Sequence, residues 1–442
     1  MQPSITAAYL ARYRSVAASG GPAGLLPLTG AQRRFLISRR LDPQGRPDVV
    51  PLFFGYPRGA VDLPRLRRAA TRLASRHPAL RGGFATVRGT PVLRLGEPSV
   101  EVARVTVGPG DTAREALRRA LLDWPADGPA LRLLLAAGPD DDEELLALAL
   151  DHAVCDEQSL GLATAELGAA YTADGAAVTA ATAATETAED GRLSGPGPAA
   201  DGLAAYREAV ELQLAAEAAA ASPAAHAHWA ARLGGLSGGP APCGAAPRPT
   251  GMVVHRLPAV TGAARAALFP ALLDAVSVAA HRAFRPDRAL ALGYPWGGRL
   301  PGAPPVLGCF LNTLVHPAAA GTAGDLGALG AAWWDDLDHA DTPFDELVRA
   351  ARSAGAPWTG ALDAALTFED LDRRPPLVLA GTAGRETHLA GRPLAAPLAV
   401  SASHGDDLLV RLAWDRDRCP DAAAEAAFEA LLSTLRHHLG AA

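Results

Sequence analysis

The stretch that decides the fold is Leu148-Ala-Leu-Asp-His-Ala-Val-Cys-Asp-Glu-Gln-Ser159, in which an apolar run meets a polar cluster. The apolar residues predict a buried β-strand that ends at Asp151 and His152. A helix is predicted to begin near Asp156, because aspartate accepts hydrogen bonds from the free N–H groups of a helix start. The histidine between them has a reference pKa of about 6.5, which suits proton transfer at neutral pH. His152 is therefore a candidate general base.

The segments on either side of this stretch mix helical and strand-like patterns. Helical spacing of apolar residues over 61–75 and 271–283 alternates with short apolar runs such as 131–135 and 398–402. Both halves of the chain are thus mixed α/β, which predicts two lobes of similar construction. Between about 173 and 203 large apolar residues are too few to offset the entropy of ordering, so this segment is predicted to be a linker.

Composition excludes several classes of function. The chain has 442 residues, a net charge of −6 and 41 basic residues, all of them arginine. Without lysine there is no Schiff base to pyridoxal phosphate and no phosphate-binding loop of the Walker type. The acidic balance gives no reason to expect nucleic acid or an anionic membrane as partner.

The cysteines and the apolar runs exclude further classes. The four cysteines stand far apart and form no CxxC pair, so neither a zinc knuckle nor a disulfide framework is indicated. No metal site is expected. The N-terminus lacks a secretory signal, and no apolar run approaches the roughly 18 residues that span a membrane. We expect a cytoplasmic, monomeric protein.

The stretch around His152 resembles the HHxxxDG motif of the condensation-domain superfamily of nonribosomal peptide synthetases, which is related to chloramphenicol acetyltransferase. Further segments resemble other elements of that family in the family's order. They are Leu28-Thr-Gly-Ala-Gln-Arg-Arg-Phe35, Arg76-His-Pro-Ala-Leu-Arg-Gly-Gly-Phe84, Gly293-Tyr-Pro-Trp-Gly-Gly-Arg299, Leu307-Gly-Cys-Phe-Leu-Asn-Thr313 and His339-Ala-Asp-Thr-Pro-Phe-Asp345.

The resemblance implies an α/β fold of two chloramphenicol-acetyltransferase-like lobes, arranged as a V-shaped pseudo-dimer with a tunnel between them. We predict an N-terminal extension over 1–24, an N-terminal lobe over 25–175, a flexible linker over 176–202 and a C-terminal lobe over 203–442. Two carrier-protein phosphopantetheine arms would enter the tunnel from opposite ends and meet near the motif histidine. No other cofactor is expected.

The resemblance also assigns roles to single residues. His152 would position or deprotonate the nucleophile that attacks the thioester. Asp156 would point away from the tunnel and form a salt bridge with Arg299, although a plain helix N-cap is the alternative. We assign Asn312, Thr313 and Ser159 to the lining of the substrate tunnel.

Two motif positions depart from the family pattern. Asp151 stands where the first histidine is expected, and Glu157 stands where the glycine is expected. Both carboxylates are predicted to surround His152, favour its imidazolium form and weaken it as a base. The altered motif also spells DxxxxDxxS through Asp151, Asp156 and Ser159, which resembles heterocyclisation domains.

The predicted function is a free-standing condensation enzyme, an acyltransferase acting in natural-product biosynthesis. It would form an amide, or less readily an ester, between a thioester on a carrier protein supplied in trans and an amine acceptor. Excision from a larger synthetase is equally compatible with the sequence. The alternatives are a noncatalytic platform that binds carrier proteins or tailoring enzymes, a heterocyclisation enzyme and an acyltransferase that uses acyl-CoA.

Overall fold

The computed structural model describes residues 3–19, 24–41, 48–125, 128–139, 141–183, 198–237, 250–284, 287–297, 299–318, 324–371, 374–389, 394 and 396–440. These residues form two α/β lobes, each built on its own sheet. Among the helices in these ranges, none combines the length and the apolarity that crossing a bilayer requires.

The first half of the chain contributes most of the N-terminal lobe. Its elements are α1 (Ile5–Ala18), β1 (Leu25–Leu26), α2 (Gly30–Leu41), β2 (Val49–Pro57), α3 (Leu63–Arg76), α4 (Pro78–Arg81), β3 (Gly82–Val87), β4 (Thr90–Leu95), β5 (Val100–Arg104), α5 (Ala113–Leu122), β6 (Leu131–Ala136), β7 (Glu143–Asp151), a 3-10 turn (His152–Val154), α6 (Glu157–Ala183), α7 (Pro198–Ala220) and α8 (Pro223–Leu233).

The second half forms the C-terminal lobe and also contributes one strand to the sheet of the N-terminal lobe. Its elements are β8 (Gly251–Pro258), α9 (Ala263–Ala266), α10 (Leu268–Phe284), β9 (Leu290–Trp296), β10 (Asn312–Ala318), α11 (Leu326–Leu337), α12 (Phe344–Ser353), β11 (Ala364–Asp370), β12 (Val378–Leu379), β13 (Thr382–Ala383), β14 (Arg385–Thr387), β15 (Leu398–His404), β16 (Asp407–Trp414) and α13 (Asp421–Leu439).

Strand β7 lies at the centre of the N-terminal sheet, whose order is β14-β2-β7-β6-β5. Residues 145–150 are all buried, because helices cover both faces of the sheet. The even-numbered side chains pack in the cluster that holds α3, α6 and α7, while the odd-numbered ones pack with α5. This alternation follows from the two-residue period of a strand, and burying each leucine contributes about 1.5–3 kcal/mol. The strand is thus a rigid support for the residues at its end.

The C-terminal lobe has a six-stranded sheet in the order β10-β9-β11-β15-β16-β8. Helices α10 and α13 pack together in its core, which also contains most of the buried residues of the sheet. The two lobes are tied together by β14, which leaves the C-terminal half and pairs antiparallel with β2 from Arg385 opposite Gly55 to Thr387 opposite Phe53.

The structure corrects the predicted segment boundaries. Tyr206, Val210 and Leu214 of α7 are buried in the core of the N-terminal lobe, whereas the prediction begins the C-terminal lobe at residue 203. The linker predicted over 176–202 is helical up to residue 183 and again from 198, and its remaining residues lie outside the described ranges. The packing of Tyr206, Val210 and Leu214 in the first core, which the low-complexity sequence concealed, is the reason for the shifted lobe boundary.

The predicted N-terminal extension is also part of the fold. Tyr9 of α1 is only 2% exposed, and its side chain belongs to the core of the N-terminal lobe. The hydroxyl of Thr6 donates to Glu217 of α7, and the N–H of Ile5 donates to Glu346 of α12 at 2.7 Å. Helix α1 therefore contacts both lobes.

Candidate active site

The candidate site is built where β7 ends. The N–H of Asp151 donates to the carbonyl of Ala130, just before β6, at 2.9 Å. The Asp151 carboxylate then accepts from the N–H of Ala153 at 2.8 Å, so it caps the 3-10 turn that follows. The N–H of His152 donates to the carbonyl of Asp48, just before β2, at 3.0 Å. These bonds fix the backbone position of His152.

The His152 ring is half-buried at the junction of the two lobes. It packs on Phe35 of α2 with ring centroids 4.5 Å apart. Helix α2 lies against the 3-10 turn on one side and against α12 and β10 of the C-terminal lobe on the other. Nδ1 of His152 is buried and has no hydrogen-bond partner within the described residues, so Phe35 and the backbone orient the ring.

Asp156 and Arg299 form an ion pair across the lobes. Nη2 of Arg299 lies 3.2 Å from Oδ1 of Asp156, and the two side chains are only 8% and 11% exposed. Asp156 also caps α6 by accepting from the N–H of Ser159 at 2.8 Å, and its Oδ2 accepts from the N–H of Phe310 at 3.1 Å. The guanidinium of Arg299 lies over the Phe310 ring. One carboxylate therefore serves as both helix cap and salt-bridge partner.

The two departures from the family motif have charged partners of their own. Arg39 of α2 donates two hydrogen bonds to Asp151, at 2.9 and 2.6 Å. Glu157 lies 3.4 Å from Arg374 with half of its side chain exposed, and the burial of the other half raises the pKa of Glu157 to about 7 against the attraction of that arginine. Asp151 is therefore paired with Arg39, and Glu157 belongs to a separate cluster with Arg374 and Glu386. That these two carboxylates weaken His152 as a base stays a prediction.

Ser159 does not line a tunnel. Its side chain is completely buried, and its hydroxyl bonds to Asp156, to Arg299 and to both backbone groups of Gly308. The prediction of a tunnel-lining Ser159 is therefore wrong. A hydroxyl so close to the start of α6 is fully engaged in connecting that helix to the C-terminal lobe.

Asn312 and Thr313 open strand β10 at the lobe junction. The Asn312 amide donates to the carbonyls of Ala340 and Thr342 at 2.8 and 2.6 Å, and accepts from the N–H of Phe344 at 3.1 Å. Asn312 also borders a cavity of about 20 Å³, room for a single water, between the lobes. Thr313 is half-buried beside it. For both residues a role towards substrate stays a prediction.

The sequence interpretation missed several charged residues near His152. Asp48 precedes β2, and burial raises the pKa of its carboxyl, with the attraction of His152 as the largest opposing effect. Arg34 of α2 places its guanidinium 3.7 Å from the centroid of the Phe344 ring in the other lobe, and burial lowers its pKa to about 10. Arg34 lies within the quoted segment 28–35 but was given no role there, and no local motif marks Asp48, which the pairing of β2 with β7 brings to His152.

Condensation domains are among the solved structures that share this architecture. The first condensation domain of the CDA synthetase matches with a TM-score of 0.68 and 18% identity, covering 95% of this chain and 97% of that one. The X-domain from teicoplanin biosynthesis matches with a TM-score of 0.65 and 19% identity, covering 94% and 95%. A structure of that X-domain with OxyB gives a TM-score of 0.65 and 18% identity, covering 95% and 94%. The predicted α/β fold of two chloramphenicol-acetyltransferase-like lobes is thereby confirmed.

Sequence relatives are nonribosomal peptide synthetases. The chain is 35% identical over 149 residues to CymA of Salinispora arenicola, which covers 34% of this chain and 2% of that protein. It is 29% identical over 152 residues to surfactin synthase subunit 2 of Bacillus subtilis, which covers 33% and 4%. No family model matches the chain. The relatives and the structural neighbours together confirm the predicted resemblance to the condensation-domain superfamily.

Proposed function

We propose that this protein joins an acyl or aminoacyl thioester, carried on the phosphopantetheine of a carrier protein, to an amine during nonribosomal peptide or related biosynthesis. The observation that carries the proposal is the half-buried His152 ring at the lobe junction, held by Phe35 at the end of a rigid strand. The condensation-domain fold and the synthetase relatives support the choice of substrates.

The chemistry needs one base and two tethered or bound reactants. Nδ1 of His152 is buried, so Nε2 is the ring nitrogen left to take a proton from the nucleophile. The amine nitrogen forms the new C–N bond, the C–S bond of the thioester breaks, and the departing sulfur receives a proton. General-base help of this kind contributes about 10²–10⁴-fold, and holding the reactants together can contribute as much or more.

A second candidate is a noncatalytic platform that binds carrier proteins or tailoring enzymes. Asp151 favours it, because this residue replaces the first motif histidine and is bound to Arg39. The similarity to an X-domain that was solved in complex with OxyB also supports this candidate. Heterocyclisation gains no support, because the hydroxyl of Ser159 is buried and bonded to structural partners.

The test is intact-mass analysis of an acyl-loaded carrier protein incubated with this protein and a panel of amines. Transfer of the acyl group to the amine supports condensation. A product lighter by one water supports heterocyclisation instead. Tight carrier binding without any acyl transfer supports the platform and contradicts the proposed enzyme.

A further inference from the structure

The Asp48 carboxylate is an unused polar group beside His152. Val49 pairs with Asp151 in the sheet, and the carbonyl of Asp48 accepts the N–H of His152 at 3.0 Å, so the two segments lie side by side. The Asp48 side chain is half-buried. Within the described ranges its carboxylate makes no hydrogen bond and no ion pair, although it interacts electrostatically with His152, Arg39 and Arg34.

The two arginines that interact with Asp48 are each engaged by other groups. Arg39 is already bound by Asp151 through two hydrogen bonds. Arg34 interacts with Asp48 in its own lobe and with Asp345 in the other lobe, and stacks on an aromatic ring. Neither guanidinium donates a hydrogen bond to Asp48 within the described residues. A half-buried carboxylate that lacks a hydrogen-bonded cation in this part of the chain can be stabilised by a bound ammonium.

We propose that Asp48 binds the acceptor as an ammonium ion beside His152, so that the site selects amine nucleophiles over hydroxyl nucleophiles. This inference rests on the proposed condensation function and names a residue that its motif does not contain. Asp151 is excluded from this role, because Arg39 and the N–H of Ala153 occupy its oxygens.

Binding of the acceptor as an ammonium ion is compatible with acyl transfer from the thioester, because each proton that the nitrogen releases has an acceptor. The ammonium held by Asp48 gives its first proton to Nε2 of His152, which passes it to solvent. The free amine attacks the thioester carbonyl and forms the C–N bond, and the C–S bond breaks. The second proton moves from the nitrogen through His152 to the departing thiolate, which leaves as the pantetheine thiol.

The experiment compares matched acceptor pairs: α-amino amides and the isosteric α-hydroxy amides with the same side chains. Initial rates with an acyl-loaded carrier and saturation-transfer NMR binding are measured for wild type, Asp48→Asn, Asp48→Glu and Asp142→Asn. Asp142 is an exposed aspartate at the start of β7, and that nine-residue strand separates it from the site by about 30 Å. It is the matched control for loss of one carboxylate.

We expect Asp48→Asn to raise the KM of the amine acceptor roughly tenfold, because one charge-assisted hydrogen bond to the acceptor is lost. The change in kcat should be much smaller. The KM of the hydroxyl acceptor should not change, Asp48→Glu should restore most of the amine preference, and Asp142→Asn should match wild type. A role in folding alone would affect both acceptors equally, and that result, or an amine preference that survives in Asp48→Asn, overturns the inference.

The NMR binding measurement distinguishes a failure of the proposed condensation function from a failure of the proposed ammonium site. If wild type transfers no acyl group, the condensation function fails, but a preference for the amine that is lost in Asp48→Asn still supports the ammonium site. If wild type forms amides and binds both members of each pair equally, the condensation function stands and the role of Asp48 is contradicted.

Discussion

At the scale of single residues, His152 is oriented by packing and by its backbone. A catalytic histidine commonly donates one ring N–H to an acceptor that fixes its tautomer. Here Nδ1 is buried without such a partner within the described residues, and Phe35 supplies the contact that holds the ring. Burying Nδ1 without a hydrogen bond lowers the free energy of unfolding by about 1–3 kcal/mol. The ring is therefore oriented without a structural hydrogen bond to Nε2 from the described residues.

The Asp156 and Arg299 pair belongs to the same scale and gives a stability prediction. Asp156→Ala should lower the free energy of unfolding by about 3–5 kcal/mol, because it leaves the buried guanidinium of Arg299 without its charge partner. Urea denaturation measures the change. The matched control is Asp111→Ala, which removes an exposed pair with Arg119 and should cost less than about 1 kcal/mol. Equal losses in the two variants would show that the interlobe pair is no more than a surface contact.

At the scale of elements, α7 and α1 hold the N-terminal lobe together from outside its sheet. Glu217 of α7 accepts from the hydroxyl of Thr6 in α1, from the N–H of Gly30 and from Arg33 of α2. Both Glu217 and Arg33 are almost completely buried. One carboxylate thus joins three helices beneath the lobe junction.

We expect Glu217→Ala to destabilise the protein by about 3–5 kcal/mol, since it leaves Arg33 buried without its partner. Glu211→Ala is the control on the same helix, and because Glu211 is exposed its effect should stay within about 0.5 kcal/mol. Thermal and urea unfolding of both variants provide the comparison. If Glu217→Ala unfolds like Glu211→Ala, the junction does not depend on this carboxylate.

The sequence was sufficient to predict the two lobes, but not how every helix packs or which distant residues meet at the site. The ordered motifs implied two α/β lobes through the family resemblance, and the local strand and helix patterns in both halves indicated the same. They did not predict that α7 packs in the first lobe, since its sequence is rich in alanine and any of several faces could be buried. Asp48 escaped notice because it is 104 positions from His152 in the sequence, and only the pairing of β2 with β7 brings the two together.

At the scale of the whole molecule, one charged cluster connects the lobes beside the site. Arg374, which follows β11 of the C-terminal lobe, contacts Glu157 at the start of α6 and Glu386 in β14. Strand β14 itself extends the N-terminal sheet. Burial raises the pKa of Glu157 to about 7 and also raises the pKa of Glu386. Protonation of this cluster is therefore coupled to the folded arrangement of the two halves.

The raised pKa of Glu157 predicts how stability depends on pH. The folded protein holds this proton up to about pH 7, whereas the unfolded chain releases it near pH 4.5, so stability should fall as the pH rises through that window. Glu157→Gln should therefore unfold at a higher urea concentration than wild type at pH 8, with the gain shrinking towards pH 5. Glu143→Gln, which alters an exposed pair with Arg385, should show no such trend. A gain independent of pH would contradict the explanation.

The measurement that tests the central claim most directly is the single-turnover rate of acyl transfer from a loaded carrier to an amine, for wild type, His152→Ala and His437→Ala. His437 is exposed on the C-terminal helix and controls for the loss of a histidine. A catalytic role of His152 predicts that the single-turnover rate falls about 10²–10⁴-fold in His152→Ala but not in His437→Ala, with unchanged carrier binding. Equal rates for wild type and His152→Ala would contradict it.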